Sequence, residues 1–165
     1  FMELVLNSKP EQVTLVPDAE DAITSNAGWD TIKHFDYLTD VIKTFKDAGI
    51  RTSIFLDPNP ALIESAAKTG ADRIELYTEE FATQYGLGNL DAINPYKETA
   101  KLAIENGLAV NAGHDLSLDN IKFFIREIPT IAEVAIGHAL ISEALYLGLE
   151  NTIQTYLRKI ELANL

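Results

Sequence analysis

The sequence predicts an α/β fold of parallel strands alternating with helices, and within that class a (β/α)₈ TIM barrel rather than a doubly wound sheet. Five short segments, residues 12–16, 52–56, 73–77, 108–112 and 133–136, are rich in Val, Ile, Leu or Thr. Apolar runs of that length suit strands buried on both faces, as in a parallel sheet. The stretches between them carry helical periodicity. Polar groups stand at many strand ends: Thr14 and Pro17, Asp57, Glu75 and Thr78, Asn111 and His114, and Gly137 with His138. A doubly wound sheet concentrates its ligand chemistry in one Gly-rich loop after the first strand, and no such loop is present. A barrel spreads its catalytic groups over the C-terminal ends of several strands, which is the pattern seen. Only five strands are legible, where a barrel of this type needs eight.

Taken in order, residues 1–7, followed by Lys9 and Pro10, read as the tail of a helix, so the chain opens partway through a βα unit. Residues 32–48 place Phe35, Leu38, Ile42 and Phe45 at helical spacing. Pro58, Asn59 and Pro60 open a helix through Ile63, Ala66 and Ala67 that Gly70 stops, and Asn94 and Pro95 open one through Ala100, Leu102 and Ala103 that Gly107 stops. Ser117 is expected to cap a helix carrying Ile121, Phe124 and Ile125, and a last helix spans about residues 149–162. The segments DAGIRTSIF, KTGADRIEL and ENGLAVNAG each read as helix, glycine stop, then strand, the αβ connection of a wound fold.

The 165 residues suffice for one domain with a real core, taken here as residues 1–165. No run of 18 apolar residues and no basic-then-apolar leader occurs, so neither a membrane partner nor secretion is expected. Cysteine is absent, which removes disulfides and thiolate chemistry and fits a cytoplasmic protein. A net charge of −12 repels a phosphate backbone and makes nucleic acid an unexpected partner. A local site can still oppose that field and hold a small anion.

Two of the three histidines, His114 in VNAGHDL and His138 in VAIGHAL, follow glycine directly after a strand. Glycine lets backbone N–H groups approach a ligand, helices follow both motifs, and helix N-termini favour anions. Barrels often hold a phosphate in the loops after their last two strands. Gly113, His114, Gly137 and His138 thus form a candidate phosphate site, with histidine also able to move protons. The residues alone also permit loop histidines without a task, though the pattern favours the site. Glu75 sits inside the apolar strand RIELYT, where a carboxylate needs a polar cavity or a partner. It is a candidate acid, base or charge stabiliser, or else a structural ion pair with Arg73 or Lys101. Asn111 could orient a ligand carbonyl or bond backbone. Thr24, in AITSNAG, could donate to a ligand oxygen, although such residues crowd ordinary turns. Trp29, Phe35 and Tyr146 read as core or interface packing and His34 as solvated. No HExxH, Walker or GxSxG pattern occurs, and no metal is expected.

Four segments in order, KPEQVTLVPD, ADRIELYT, VNAGHDL and IAEVAIGHALISEALYLGLENTI, closely resemble the pyridoxine 5′-phosphate synthase family. The family shows a KP…LVPE segment, a strand ending IELHTG, a VNAGH[GD]L motif and an LNIGHA(I/L)I motif ahead of a G-L helix, in this order and approximate spacing. The resemblance implies a TIM barrel of which this chain supplies about five βα units, strands 4–8. It implies a homo-oligomer, expected as an octamer, acting on small phosphorylated substrates without metal or organic cofactor. The implied reaction condenses 1-deoxy-D-xylulose 5-phosphate with 3-amino-2-oxopropyl phosphate to pyridoxine 5′-phosphate, phosphate and water. By the same resemblance His114 is the proton donor late in ring closure, Glu75 stabilises charge, and Thr24 contacts the deoxyxylulose phosphate. Gly137 and His138 hold the aminoketone phosphate, and Asp115 is a further ligand contact through its backbone.

The chain departs from the pattern at Tyr77, where histidine is usual, at Glu79, where glycine is usual, and at Asn26–Trp29, which replaces an EGG-type turn. The NxDH-like motif, histidine base and further glutamate of the family's first three strands are not in the sequence. The expectation is a fragment or a reading frame cut at its start, with open sheet edges, inactive and poorly soluble by itself. Two other readings are another phosphate-binding barrel of epimerase or aldolase type, or a non-catalytic remnant. No lysine stands at the five strand ends, which counts against an aldolase.

Overall fold

The computed structural model describes residues 1–17 and 23–165; Asp18, which closes the KPEQVTLVPD segment, lies outside the described residues. Five parallel strands, β1 (Gln12–Leu15), β2 (Arg51–Leu56), β3 (Arg73–Tyr77), β4 (Ala109–Gly113) and β5 (Ile131–Ala135), pair strictly in chain order. Each is joined to the next by helix: α2 (Phe35–Asp47), α3 (Ile63–Lys68), α4 (Glu79–Gly86) with α5 (Asn94–Glu105), and α6 (Ile121–Glu127). Helix α1 (Met2–Ser8) precedes β1, and α7 (His138–Leu147) and α8 (Leu149–Ala163) follow β5. The described residues thus form an α/β fold around a five-stranded parallel sheet, an arrangement consistent with part of a TIM barrel, with β1 and β5 at the two edges of the sheet.

Side chains alternate between the two faces of a strand, and here the faces differ in chemistry. Ile54, Ile74 and Val110 lie in register across β2, β3 and β4 and are fully buried under the helices. There they join Leu38, Ile42 and Phe45 of α2 and Phe124 of α6 in the main core. A smaller cluster docks α8 through Tyr156 and Ala163 on Ile121 and Ile125. The concave face carries Phe55, Glu75, Asn111 and Glu133, which are also in register. Between Val110 and Asn111 the β4–β5 register skips one residue, which turns Glu133 onto this face.

The boundaries expected from sequence hold with small shifts. The fourth strand runs to Gly113 and the fifth begins at Ile131. Gly49, Gly70 and Gly107 take positive φ after α2, α3 and α5, as helix stops require. Ser117 is not the N-cap of α6: Asn120 holds that position, and its side chain accepts from the Ser117 N–H instead. Helix α4 was not expected at all. Tyr146 is 91% exposed, which excludes core packing, and His34 is part-exposed with its ring edge-on to Trp29. Among the described residues no helix is long and apolar enough to cross a membrane.

Gly113 is required by close approach. A Cβ built there collides with the Ala135 carbonyl oxygen and stands 3.2 Å from Glu75 Oε1. Gly113→Ala must open the β4–β5 pairing, and overpacking of this kind costs about 1–3 kcal/mol. The melting temperature of the variant is expected to fall by roughly 2–4 °C per kcal/mol. An unchanged melting temperature would show that β5 yields freely.

Candidate active site

The strand ends gather the expected groups on one rim. A cleft of about 600 Å³ is lined by Thr14, Phe55, Glu75, His114, Gly137 and His138, among others. The His114 and His138 rings lie 6.3 Å apart, so the two glycine-flanked turns are neighbours. Thr24 joins them from the loop after β1, its Oγ1 3.0 Å from His114 Nε2. Asp115 joins through its side chain, with Oδ2 2.6 Å from His114 Nδ1. All six site residues expected from sequence thus fall within one cluster.

His114 sits at φ 65°, a conformation non-glycine residues seldom adopt. The Asp115 N–H donates to the Gly113 carbonyl across it at 3.0 Å, closing a three-residue turn. Positive-φ turns of this size are strained, typically by about 1–3 kcal/mol, and persist where surrounding bonds over-determine them. Here the His114 N–H donates to the Ala135 carbonyl at 3.0 Å, tying the turn to β5. The Thr78 hydroxyl donates to the Gly113 carbonyl and accepts from the Asp115 N–H at 3.3 Å.

The ring of His114 is oriented from both ends. Beside an ionised carboxylate, which can only accept, Nδ1 is the donor, and Nε2 is left facing the Thr24 hydroxyl. Tyr77 packs edge-on to the ring at 5.3 Å and Phe55 lies 6.1 Å away, giving it an aromatic wall. Burial pushes the Tyr77 phenol above its ordinary value, and the negative charges of Asp115, Glu79 and Asp57 add to the rise.

Glu75 is buried at 8% exposure and is not paired with Arg73 or Lys101. Its Oε2 accepts from the Thr14 hydroxyl at 3.1 Å. Burial raises its carboxyl above the ordinary value; the Thr14 hydrogen bond and His114 oppose the rise, and Glu133 adds to it. Arg73 donates instead to Asn111 at 2.8 Å and pairs with Glu133 at 3.1 Å, and Arg51 reaches Glu133 at 2.9 Å. Asn111 therefore belongs to this ion network below the cleft. Reading the sequence found neither the network nor the Thr14 bond, since both depend on cross-strand register. Gly137 is the N-cap of α7 and His138 its first residue, where N–H groups lack helical partners and suit an anion. Among the described residues no three His, Asp or Glu side chains gather as a metal site.

A family model described as Pyridoxal phosphate biosynthesis protein PdxJ matches residues 1–162. Pyridoxine 5′-phosphate synthase of Christiangramia forsetii is 64% identical over 161 residues, and that of Flavobacterium johnsoniae 65% identical over the same number. Each alignment takes in 98% of this chain and 68% of the relative, so the chain spans about two thirds of their length. Two solved structures are similar in fold alone. A BexX/CysO complex of Amycolatopsis orientalis matches at TM-score 0.61 and 15% identity, over 98% of this chain and 61% of that one. An HpcH/HpaI aldolase from Desulfitobacterium hafniense matches at TM-score 0.62 and 12% identity, over 99% and 70%.

Proposed function

This chain belongs to the PdxJ family of pyridoxal phosphate biosynthesis proteins, and on that premise we propose that it carries part of the active site of a pyridoxine 5′-phosphate synthase. In this reading it supplies strands 4–8 of the barrel. The complete protein joins 1-deoxy-D-xylulose 5-phosphate to 3-amino-2-oxopropyl phosphate and releases pyridoxine 5′-phosphate, phosphate and water. The observation that carries the reading is the 6.3 Å approach of the His114 and His138 rings beside a buried Glu75 in one cleft.

The N–H groups of Gly137 and His138 hold the phosphate of the aminoketone, and Thr24 and the backbone of Asp115 contact substrate. Imine formation, dehydration and ring closure each move protons, and His114 Nε2 delivers one in the closing steps. Glu75, kept from water, faces positive charge as it develops and stabilises it. No step in this scheme calls on a metal or organic cofactor. The complete protein assembles as a homo-oligomer, expected as an octamer. The 165-residue chain by itself is expected to be inactive, because five strands do not close the cylinder that shields the reaction.

The test is to assay the complete protein with both substrates. Pyridoxine 5′-phosphate and inorganic phosphate are expected in equal amounts, and neither is expected when one substrate is omitted. Phosphate release without ring product, or no turnover with both substrates, contradicts the proposal.

A further inference from the structure

Thr78 directly follows β3 and stands at the N-cap of α4, where a threonine hydroxyl ordinarily accepts from an N–H of the first helical turn. Its carbonyl does accept from the Ala82 N–H at 2.9 Å, but its side chain makes no capping bond. The hydroxyl is turned the other way. It donates to the Gly113 carbonyl and accepts from the Asp115 N–H at 3.3 Å. Those two groups are the ends of the strained turn with His114 at its centre. Thr78 is fully buried, so no water competes for the hydroxyl.

We propose that Thr78 is a positioning residue for His114: its buried hydroxyl clamps both ends of the Gly113–Asp115 turn and so fixes where the imidazole points. Donor and acceptor capacity are both used, which a hydroxyl can satisfy and a methyl cannot. Without the clamp the turn is free to relax toward ordinary φ values. The ring then swings relative to Thr24 and the cleft, although the Asp115 carboxylate travels with it. Misplacement on the scale of 1 Å costs on the order of 10²-fold in rate. The inference rests on the assignment of His114 as proton donor for its catalytic consequence, but not for its geometry.

The test compares T78V and T78S in the complete protein. T78V keeps the shape and removes the hydroxyl; T78S keeps the hydroxyl. T78V is expected to lower kcat by about 10- to 100-fold with KM changed by less than about threefold. T78S is expected to recover most of kcat. The ¹⁵N signals of the His114 ring are expected to shift in T78V and to stay as in the wild type in T78S. If T78V does not fold, T78A removes the hydroxyl without setting a methyl against two polar groups, and the same two measurements decide. A hydroxyl-free variant with wild-type kcat and unmoved His114 signals overturns the proposal, even if its melting temperature falls. Shifted ring signals with unchanged kcat leave the clamp standing and remove His114 from the chemistry.

Discussion

Replacing His114 with asparagine in the complete protein is expected to lower kcat for pyridoxine 5′-phosphate formation by about 10²- to 10⁴-fold, the range for loss of a positioned general acid. Asparagine is the informative choice because of the backbone. His114 holds φ 65°, and asparagine tolerates that region far better than alanine or a branched residue. The variant therefore keeps the turn and the Gly113–Asp115 bond while losing the ring nitrogen proposed to exchange protons with the cleft. Binding of each phosphorylated substrate, measured by calorimetry, is expected to change little, since the phosphate donors proposed at Gly137 and His138 are backbone groups. A kcat within a few fold of wild type would assign proton delivery to another residue.

Glu75→Gln is expected to move activity and stability in opposite directions. Gln keeps the size and the acceptor for Thr14 but cannot ionise. If the carboxylate stabilises developing charge, its loss costs about 10²- to 10³-fold in kcat. The stability effect follows from burial. The folded pKa of Glu75 is raised above the ordinary 4.5, so between that value and the raised one the folded state holds a proton that the unfolded chain has lost. Stability from this group is therefore fully present below pH 4.5 and is lost as pH rises through the folded pKa. The glutamine variant lacks that slope. Urea unfolding of both proteins is expected to show the variant gaining on wild type as pH rises from about the ordinary carboxylate value toward neutrality. A constant difference, or one that shrinks with rising pH, would mean that Glu75 is not held in a desolvated site.

Much of this was legible in the chain itself. The run RIELY was expected as a strand at residues 73–77 and forms one there, because its apolar residues alternate with positions that open on the cleft. The glycine-flanked His114 and His138 stood out by type and by their place after strands, and the fold brings them together. What escaped notice depends on long-range register or on weak local patterns. Helix α4 spans only eight residues, and Phe81 and Tyr85 are the sole large apolar pair at helical spacing within it. Asn120 and Ser117 are both good caps three residues apart, and only the path of the chain decides between them. The partner of Glu75 is Thr14, 61 residues away, rather than the nearby Arg73. Arg73 is drawn to Glu133 by the register shift in β5, which no local pattern announces. Thr78 was visible as a polar strand end, but its hold on the His114 turn exists only once β3 and β4 are side by side.

The most direct test of the site is a crystal structure of the complete protein with pyridoxine 5′-phosphate bound. The product's phosphate should rest on the N–H groups of Gly137 and His138, with His114 Nε2 in hydrogen-bond reach of the new ring. A phosphate bound away from the start of α7, or a ring that His114 does not approach, would contradict the account.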